Sequence, residues 1–126
     1  MRCLIIEDNA ANRRLIGDVL RRAGYEVRES ENADAGIALA LTERFDLVLM
    51  DIQLPGTDGL TATRLLRANP LTRGLRILAV TAHAMRGDDA RMLAAGCDGY
   101  IAKPIAYKAL LAEVARLIAM PSHEPA

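Results

Sequence analysis

The sequence predicts an α/β fold in which five short strands alternate with five helices. Short runs rich in apolar residues are separated by segments whose apolar residues recur at the spacing of a helix face. This alternation predicts a parallel sheet with right-handed connections and with helices on both faces. The predicted strands are residues 2–6, 25–29, 47–50, 76–80 and 99–102, and the predicted helices are residues 10–23, 33–43, 58–68, 85–95 and 106–119.

The composition fits one globular domain with a buried core, because the chain has 126 residues and 52% of them are apolar. The 16 basic and 16 acidic residues balance, which argues against a protein that binds nucleic acid nonspecifically. The sequence has neither an apolar run long enough to cross a membrane nor the pattern of a signal peptide. We therefore expect a cytoplasmic domain that binds neither DNA nor membrane, with Cys3 and Cys97 reduced and buried.

The predicted helices are amphipathic, and residues at their ends favour a start or a stop. Asn32 is a good N-cap for the second helix and either Thr57 or Asp58 for the third, while Gly24 and Gly96 suit the ends of the first and fourth helices. The residues that we expect to face the core are Leu15, Ile16, Val19, Leu20 and Ala23 in the first helix, Ala33, Ile37, Ala40 and Leu41 in the second, Met85, Met92 and Leu93 in the fourth, and Leu110, Leu111, Val114, Leu117 and Ile118 in the fifth.

A carboxylate directly follows the most continuous apolar run of the chain. Residues 47–50, LVLM, are typical of a strand that is buried on both faces, and Asp51 comes next. In open α/β sheets, ligands bind at the carboxyl ends of the strands. Asp51 could cap a turn at this point, but its position favours a metal ligand, a nucleophile or both.

Three other predicted strands also end in polar residues that can take part in chemistry. Glu7 and Asp8 follow the first strand, Thr81 follows the fourth and Lys103 follows the fifth. Asp8, or Asn9 beside it, could cap a helix, and so could Thr81; Lys103 could be an ordinary surface lysine, although the chain has only two lysines. Because the carboxyl ends of parallel strands meet at one edge of a sheet, we expect these residues to lie near Asp51. His83, which has no partner at metal-ligand spacing, is interpreted as a loop residue.

This set of residues favours phosphoryl chemistry with a magnesium ion. Three carboxylates at one edge repel one another and favour a bound cation, and all-oxygen ligands suit Mg²⁺, whereas zinc favours histidine or cysteine. An aspartate can accept a phosphoryl group, while a lysine and a metal neutralise its charge and a threonine hydroxyl donates a hydrogen bond. The patterns GxxxxGK[ST] and GxGxxG are absent from the sequence, so a nucleotide held by this chain is not the expected donor.

The segments IIEDN, LMDIQLPGTDG, AVTAHAMRGD and AAGCDGYIAKP together resemble the receiver domain of response regulators in two-component signalling. The resemblance covers residues 2 to about 119, so we expect a receiver domain over residues 1–120 and a frayed tail over residues 121–126. It implies a doubly wound sheet with the strand order 2-1-3-4-5. It also implies Asp51 as the phosphoacceptor, Glu7, Asp8, Asp51 and the backbone carbonyl of Gln53 as Mg²⁺ ligands, Lys103 as the phosphate-binding lysine, Thr81 and Tyr100 as switch residues, and Pro104 as the proline of a cis peptide bond.

The resemblance implies a phosphoacceptor switch that catalyses only its own phosphorylation and dephosphorylation. The donor would be a histidine kinase or a histidine phosphotransfer protein, and the signal would leave through contacts of the 85–119 face with a downstream protein. We expect a stand-alone regulator, because the chain begins with Met and only a short tail follows the last helix. The resemblance also suggests a role in cell-cycle or polarity control.

Three alternatives are left open by the sequence. A Mg²⁺-dependent phosphatase with an aspartate nucleophile would be expected to have a second acid at the position of Gln53. An interaction module that works without phosphorylation would be expected to lose some of the polar residues at the strand ends. The third alternative is the receiver part of a hybrid histidine kinase, which the motifs also resemble.

Overall fold

The computed structural model describes residues 1–82 and 88–120, with Asp88 described by its backbone alone. In these residues strands and helices alternate as predicted: β1 (Arg2–Ile6), α1 (Ala10–Arg22), β2 (Glu26–Ser30), α2 (Ala33–Thr42), β3 (Leu47–Asp51), α3 (Gly59–Ala68), β4 (Arg76–Thr81), α4 (Asp88–Ala95), β5 (Gly99–Ala102) and α5 (Tyr107–Ala119). The predictions for His83, for Met85 and for the tail at residues 121–126 lie outside the described residues.

The five strands form one parallel sheet in the order β2-β1-β3-β4-β5, which confirms the predicted topology. β3 is buried along its whole length, and β1 and β4 are buried except at their first residue, whereas β2 at the edge exposes alternate residues. The register pairs Asp51 with Val80 and Thr81 with Ala102. The carboxyl ends of the strands therefore lie side by side along one edge.

Successive residues of the central strands point to opposite faces of the sheet and build two apolar layers. One layer joins Leu4, Ile6, Val48, Met50, Ile77 and Ala79 to α2, α3 and α4, and the other joins Cys3, Ile5, Leu47, Leu49, Leu78 and Val80 to α1 and α5. Cys3 and Cys97 are free and buried, as predicted, and burial raises the pKa of both thiols. In the described part of the chain, none of the helices combines the length and the apolar character that a membrane span requires.

Four residues predicted to face the core lie at the surface instead. Leu15 is 46% exposed, Leu41 39% and Leu93 58%, and Ala23 is an exposed C-cap. Each leucine stands one position from a buried stripe, and one residue turns the helix by about 100°. The prediction was wrong because apolar residues occupy neighbouring helical positions, and the core takes the stripe that contains small residues. These stripes are Ile16, Gly17 and Leu20 in α1, Ala33, Gly36 and Ala40 in α2, and Met92 and Ala95 in α4.

Asparagine and aspartate side chains fix the first turns of three helices. The side chain of Asn9 accepts a hydrogen bond from the amide of Asn12 at 2.9 Å, and Asn32 and Asp58 act in the same way at α2 and α3. Asn32 was predicted as a cap, and Asp58 is the cap rather than Thr57. Because Asn9 caps α1, the carboxylate of Asp8 is not used as the cap.

Candidate functional site

Four strand ends bring the predicted residues together at the carboxyl edge of the sheet. Asp51 is the last residue of β3 and Thr81 the last residue of β4, while Glu7 comes directly after β1 and Lys103 directly after β5. β3 lies between β1 and β4, so Asp51 is in the middle of the group. The amide of Lys103 donates to the carbonyl oxygen of Thr81 at 2.7 Å, which extends the pairing of β4 and β5 to the lysine.

The carboxyl groups of Glu7, Asp8 and Asp51 crowd together, each offering an oxygen within 4.8 Å of the others. The side chains of Glu7 and Asp51 are buried and Asp8 is exposed. Burial raises the pKa of Glu7 to about 7, and the neighbouring carboxyl group of Asp51 contributes to the rise. Partial burial opposes the shift at Asp8, but hydrogen bonding with the carboxyl groups of Asp51 and Glu7 lowers the pKa of Asp8. The site therefore contains one carboxyl group that takes up a proton more readily than usual and one that ionises more readily than usual.

The ammonium group of Lys103 lies between the two buried acids. Its Nζ atom is 2.9 Å from Oε1 of Glu7 and 3.3 Å from Oδ2 of Asp51. Burial acts to lower the pKa of Lys103, but the two carboxyl groups outweigh it and raise that pKa. Lys103 is therefore a fixed positive charge beside Asp51.

The oxygen atoms of the acidic group fit a small divalent cation. Oε1 of Glu7 is buried, and its close contact with the ammonium group of Lys103, at 2.9 Å, is an ion pair. The three acids share the charge of Lys103, so a bound cation would offset the remaining repulsion among them. Three carboxylate oxygens without histidine or cysteine match the ligands that Mg²⁺ prefers.

The side chain of Gln53 holds the end of β4. Its Nε2 atom donates to Oγ1 of Thr81 at 3.2 Å, and its Oε1 atom accepts from the amide of Ala82 at 3.0 Å. The amide of Gln53 donates to Oδ1 of Asp51 at 3.0 Å. The sequence analysis considered only the backbone carbonyl of Gln53, whose role stays a prediction, and it missed the side chain. Only the adjacency of β3 and β4, combined with the reach of a glutamine, could have indicated this contact.

Arg13 is a second residue that the sequence analysis missed. It lies on α1, and its Nη1 atom donates to the carbonyl oxygen of Glu7 at 2.8 Å. Its side chain is only 20% exposed, and the helical spacing of apolar residues does not indicate its contact with the loop before the helix. The available signal was that Arg13 lies one helical turn after the N-cap Asn9, where a long side chain can reach back to the preceding loop.

The cis peptide bond before Pro104 is confirmed, and the switch role of Tyr100 stays a prediction. Tyr100 pairs with Ala79 across β4 and β5 and is 41% exposed, so its ring lies at the surface on the strand beside Thr81. The peptide bond between Lys103 and Pro104 is cis.

The arrangement has the parts that phosphoryl transfer to a carboxylate requires. Asp51 is a candidate nucleophile, Lys103 is a fixed cation, and the hydroxyl of Thr81 is a hydrogen-bond donor on the next strand. Glu7 and Asp8 place further carboxylate oxygens close to that of Asp51, in a group that could hold a metal ion.

Comparison with known proteins agrees with this geometry. The family model described as the response regulator receiver domain matches residues 3–115. The polar-differentiation response regulator DivK of Brucella anthropi is 43% identical over 102 residues, which cover 81% of this chain and 83% of the relative.

Two solved structures are similar in sequence as well as in fold. The receiver domain of a sensor histidine kinase from Pseudomonas aeruginosa, which has a magnesium ion coordinated in its active site cleft, is 37% identical with a TM-score of 0.87 and covers 94% of this chain and 98% of its own. The chemotaxis protein CheY4 of Vibrio cholerae is 25% identical with a TM-score of 0.88, over 92% and 97% of the two chains. Sequence motifs, strand order and these similarities agree, and the chain belongs to the response regulator receiver domain family.

Proposed function

We propose that Asp51 accepts a phosphoryl group from a histidine side chain of a partner protein, in a reaction that requires Mg²⁺. One observation carries the proposal: the ammonium group of Lys103 is 3.3 Å from the buried carboxylate of Asp51 and 2.9 Å from that of Glu7. A fixed cation beside a buried nucleophile suits a reaction in which negative charge arrives. We assign Glu7, Asp8, Asp51 and the backbone carbonyl of Gln53 as the ligands of the metal.

In the proposed transfer, a carboxylate oxygen of Asp51 attacks the phosphorus atom opposite the imidazole nitrogen of the donor. The new O–P bond forms as the P–N bond breaks, and the imidazole nitrogen keeps the electron pair and takes up a proton from water. Mg²⁺, when bound, supplies positive charge that offsets the charge of the phosphoryl oxygens. Lys103 adds to this charge, and the hydroxyl of Thr81 donates a hydrogen bond to a phosphoryl oxygen.

The phosphoryl group then shifts a conformational equilibrium of the domain. The hydroxyl of Thr81 accepts a hydrogen bond from Nε2 of Gln53 at 3.2 Å, and movement of this hydroxyl toward the phosphoryl oxygen lengthens that contact. The space around Thr81 changes, and Tyr100 on the neighbouring strand adjusts its ring. The signal leaves through a protein that binds the 85–119 face.

The donor that we propose is a histidine kinase or a histidine phosphotransfer protein, and the proposed location is the cytoplasm. The relatives named as polar-differentiation regulators support a role in cell polarity or the cell cycle. We propose residues 1–120 as the receiver domain, in agreement with a family match over residues 3–115 and a last helix that ends at Ala119.

Labelling with a small phosphodonor tests the assignment without a cognate kinase. The protein is incubated with acetyl phosphate with and without Mg²⁺, and the acyl phosphate is located by mass spectrometry. We expect labelling of Asp51 only when Mg²⁺ is present, and none in the Asp51→Asn variant. Asp58→Asn is the matched control, because Asp58 is a nearby acid whose capping role asparagine can take over. Wild-type labelling of Asp51→Asn would refute the proposal.

A second candidate function is the receiver part of a hybrid histidine kinase. The structural neighbour from Pseudomonas aeruginosa, which belongs to a sensor histidine kinase, favours it. Such a receiver passes its phosphoryl group on to a phosphotransfer protein. Two results together would favour this alternative. The label on Asp51 would pass rapidly to an added histidine phosphotransfer protein, and no downstream protein would bind the 85–119 face.

A further inference from the structure

The guanidinium group of Arg13 connects two parts of the structure. One is the loop after β1, which carries Glu7 and Asp8, and the other is the edge strand β2. Nη1 donates to the carbonyl oxygen of Glu7 at 2.8 Å and lies 3.5 Å from the carbonyl oxygen of Asp8. On its other side, Nε is 3.6 Å from Oε1 of Glu29. The side chain is 20% exposed, and its contact with the carbonyl oxygen of Glu7 is partly buried.

Glu29 is itself held in place. Nη2 of Arg21, two turns further along α1, lies 2.7 Å from Oε2 of Glu29. Gly17 leaves room for this ion pair, because a Cβ atom there would lie 3.1 Å from Oε2 of Glu29 and 3.0 Å from Nη1 of Arg21. Arg13 therefore contacts the loop after β1 from a fixed support.

The contact with Glu7 acts on the peptide unit between the two acids. The carbonyl oxygen of Glu7 belongs to the rigid plane that joins Glu7 to Asp8. Fixing this plane limits the rotation of the backbone on both sides and so the directions of the two carboxylates. A hydrogen bond from a charged donor is stronger than one between neutral groups, so it can select one orientation of a loop peptide.

We propose that Arg13 is a positioning residue for the metal, holding the peptide unit between Glu7 and Asp8 so that their carboxylates converge with that of Asp51. This inference rests on the proposed metal role of the acidic group. Residues that orient metal ligands commonly change metal affinity by about 10-fold to 100-fold when they are replaced. Arg13 orients the ligands through the backbone, so the low end of this range applies.

The positioning role and a purely electrostatic role predict opposite results. A positive charge close to the site repels Mg²⁺, so removal of the charge alone would tighten metal binding. Loss of the positioning contacts weakens it instead. Lysine at this position keeps the charge but loses the planar fork that contacts the loop and Glu29 together.

The test measures Mg²⁺ binding by isothermal titration and thermal unfolding in EDTA for Arg13→Gln, Arg13→Lys and Arg21→Lys. Arg21→Lys is the matched control, because Arg21 shares Glu29 but lies in the last turn of α1, away from the loop after β1. We expect about tenfold weaker Mg²⁺ binding for Arg13→Gln, a smaller loss for Arg13→Lys, and wild-type binding for Arg21→Lys. We expect Arg13→Lys to unfold at a lower temperature in EDTA than Arg21→Lys, since it weakens the contact with the carbonyl oxygen of Glu7 as well as a contact with Glu29.

Unchanged or tighter Mg²⁺ binding by both Arg13 variants would overturn the positioning role while leaving the proposed function intact. A wild-type protein that binds no Mg²⁺ would overturn the metal role itself and the positioning role with it. Equal weakening in Arg13→Lys and Arg21→Lys would assign the effect to the support of Glu29 and would also overturn a specific role of Arg13.

Discussion

Glu7 combines a buried carboxyl group with a neighbouring carboxyl group at Asp51. Burial and this neighbour raise the pKa of Glu7 to about 7, although Lys103 is close. A carboxyl group whose pKa is higher in the folded chain than in the unfolded chain stabilises the fold fully only below its ordinary value of 4.5. This contribution is lost as the pH rises through about 7.

We therefore expect Glu7 to make the metal-free protein less stable as the pH rises from 4.5 to about 7, by at most about 3 kcal/mol. The free energy of unfolding in urea and EDTA, measured across this range, should fall more steeply for the wild type than for Glu7→Gln. Glu113→Gln is a control for which the effect on the pH dependence of stability has the opposite sign, because hydrogen bonding with Arg116 lowers the pKa of Glu113. Parallel pH profiles of the wild type and Glu7→Gln would contradict the interpretation.

Among the helices, α3 begins unusually close to the strand that carries Asp51. A Cβ atom on Gly59 would lie 2.2 Å from the carbonyl oxygen of Asp51 and 2.7 Å from the Cα atom of Ile52. Both are backbone atoms that cannot turn aside. The amide of Gly59 also donates to the carbonyl oxygen of Ile52 at 3.1 Å, so the helix start and the strand end are joined directly.

Gly59→Ala should therefore lower the free energy of unfolding by about 1–3 kcal/mol, the usual cost of overpacking. Gly17→Ala is the matched control. A Cβ atom on Gly17 would lie 3.0 Å from Nη1 of Arg21, which is the end of a flexible side chain, and alanine favours a helix interior. Urea unfolding of both variants gives the comparison. Equal stability of the two alanine variants would show that the backbone contact at Gly59 relaxes without cost.

The elements were predictable to different degrees. Strands were clear from the sequence because buried strands such as Leu47–Asp51 are continuous apolar runs with sharp polar ends. Helix faces were less clear, because Leu15, Leu41 and Leu93 lie next to the buried stripes and have the same apolar character. Glycines in the stripes, such as Gly36 against Ile6, allow close packing that a count of large apolar residues does not detect.

Across the whole molecule, the proposed signal must pass from Thr81 to the ring of Tyr100. The chain has three tyrosines, so selective labelling gives a simple NMR spectrum. We expect beryllofluoride with Mg²⁺ to shift the ring resonances of Tyr100 and leave those of Tyr25, which precedes the edge strand β2, unchanged. Proximity alone does not establish such coupling.

Thr81→Ala is the variant that tests the route. Its Asp51 should still bind the mimic, but the shift of Tyr100 should be reduced, because the hydroxyl that follows the phosphoryl group is missing. A full shift of Tyr100 in Thr81→Ala would mean that the coupling bypasses Thr81.

The site as a whole was predictable where each residue marks the end of a strand. Asp51, Thr81 and Lys103 follow this rule, because topology alone brings strand ends to one edge. The contacts of the Gln53 and Arg13 side chains could not be predicted in this way. Each side chain extends from one element to another, and such contacts leave no pattern in the sequence. Sequence reasoning therefore found the chemical groups and missed the residues that hold them.

The described part of α4 is attached to the core mainly through Met92 and Ala95, while Arg91 and Leu93 are exposed. The chemical groups, in contrast, stand at the ends of strands that the core fixes on both faces. On the proposed 85–119 binding face, substitutions on the outer side of α4 would therefore alter partner binding without disturbing the acidic site. Such a division lets descendants of one gene acquire new partners while they keep the same chemistry.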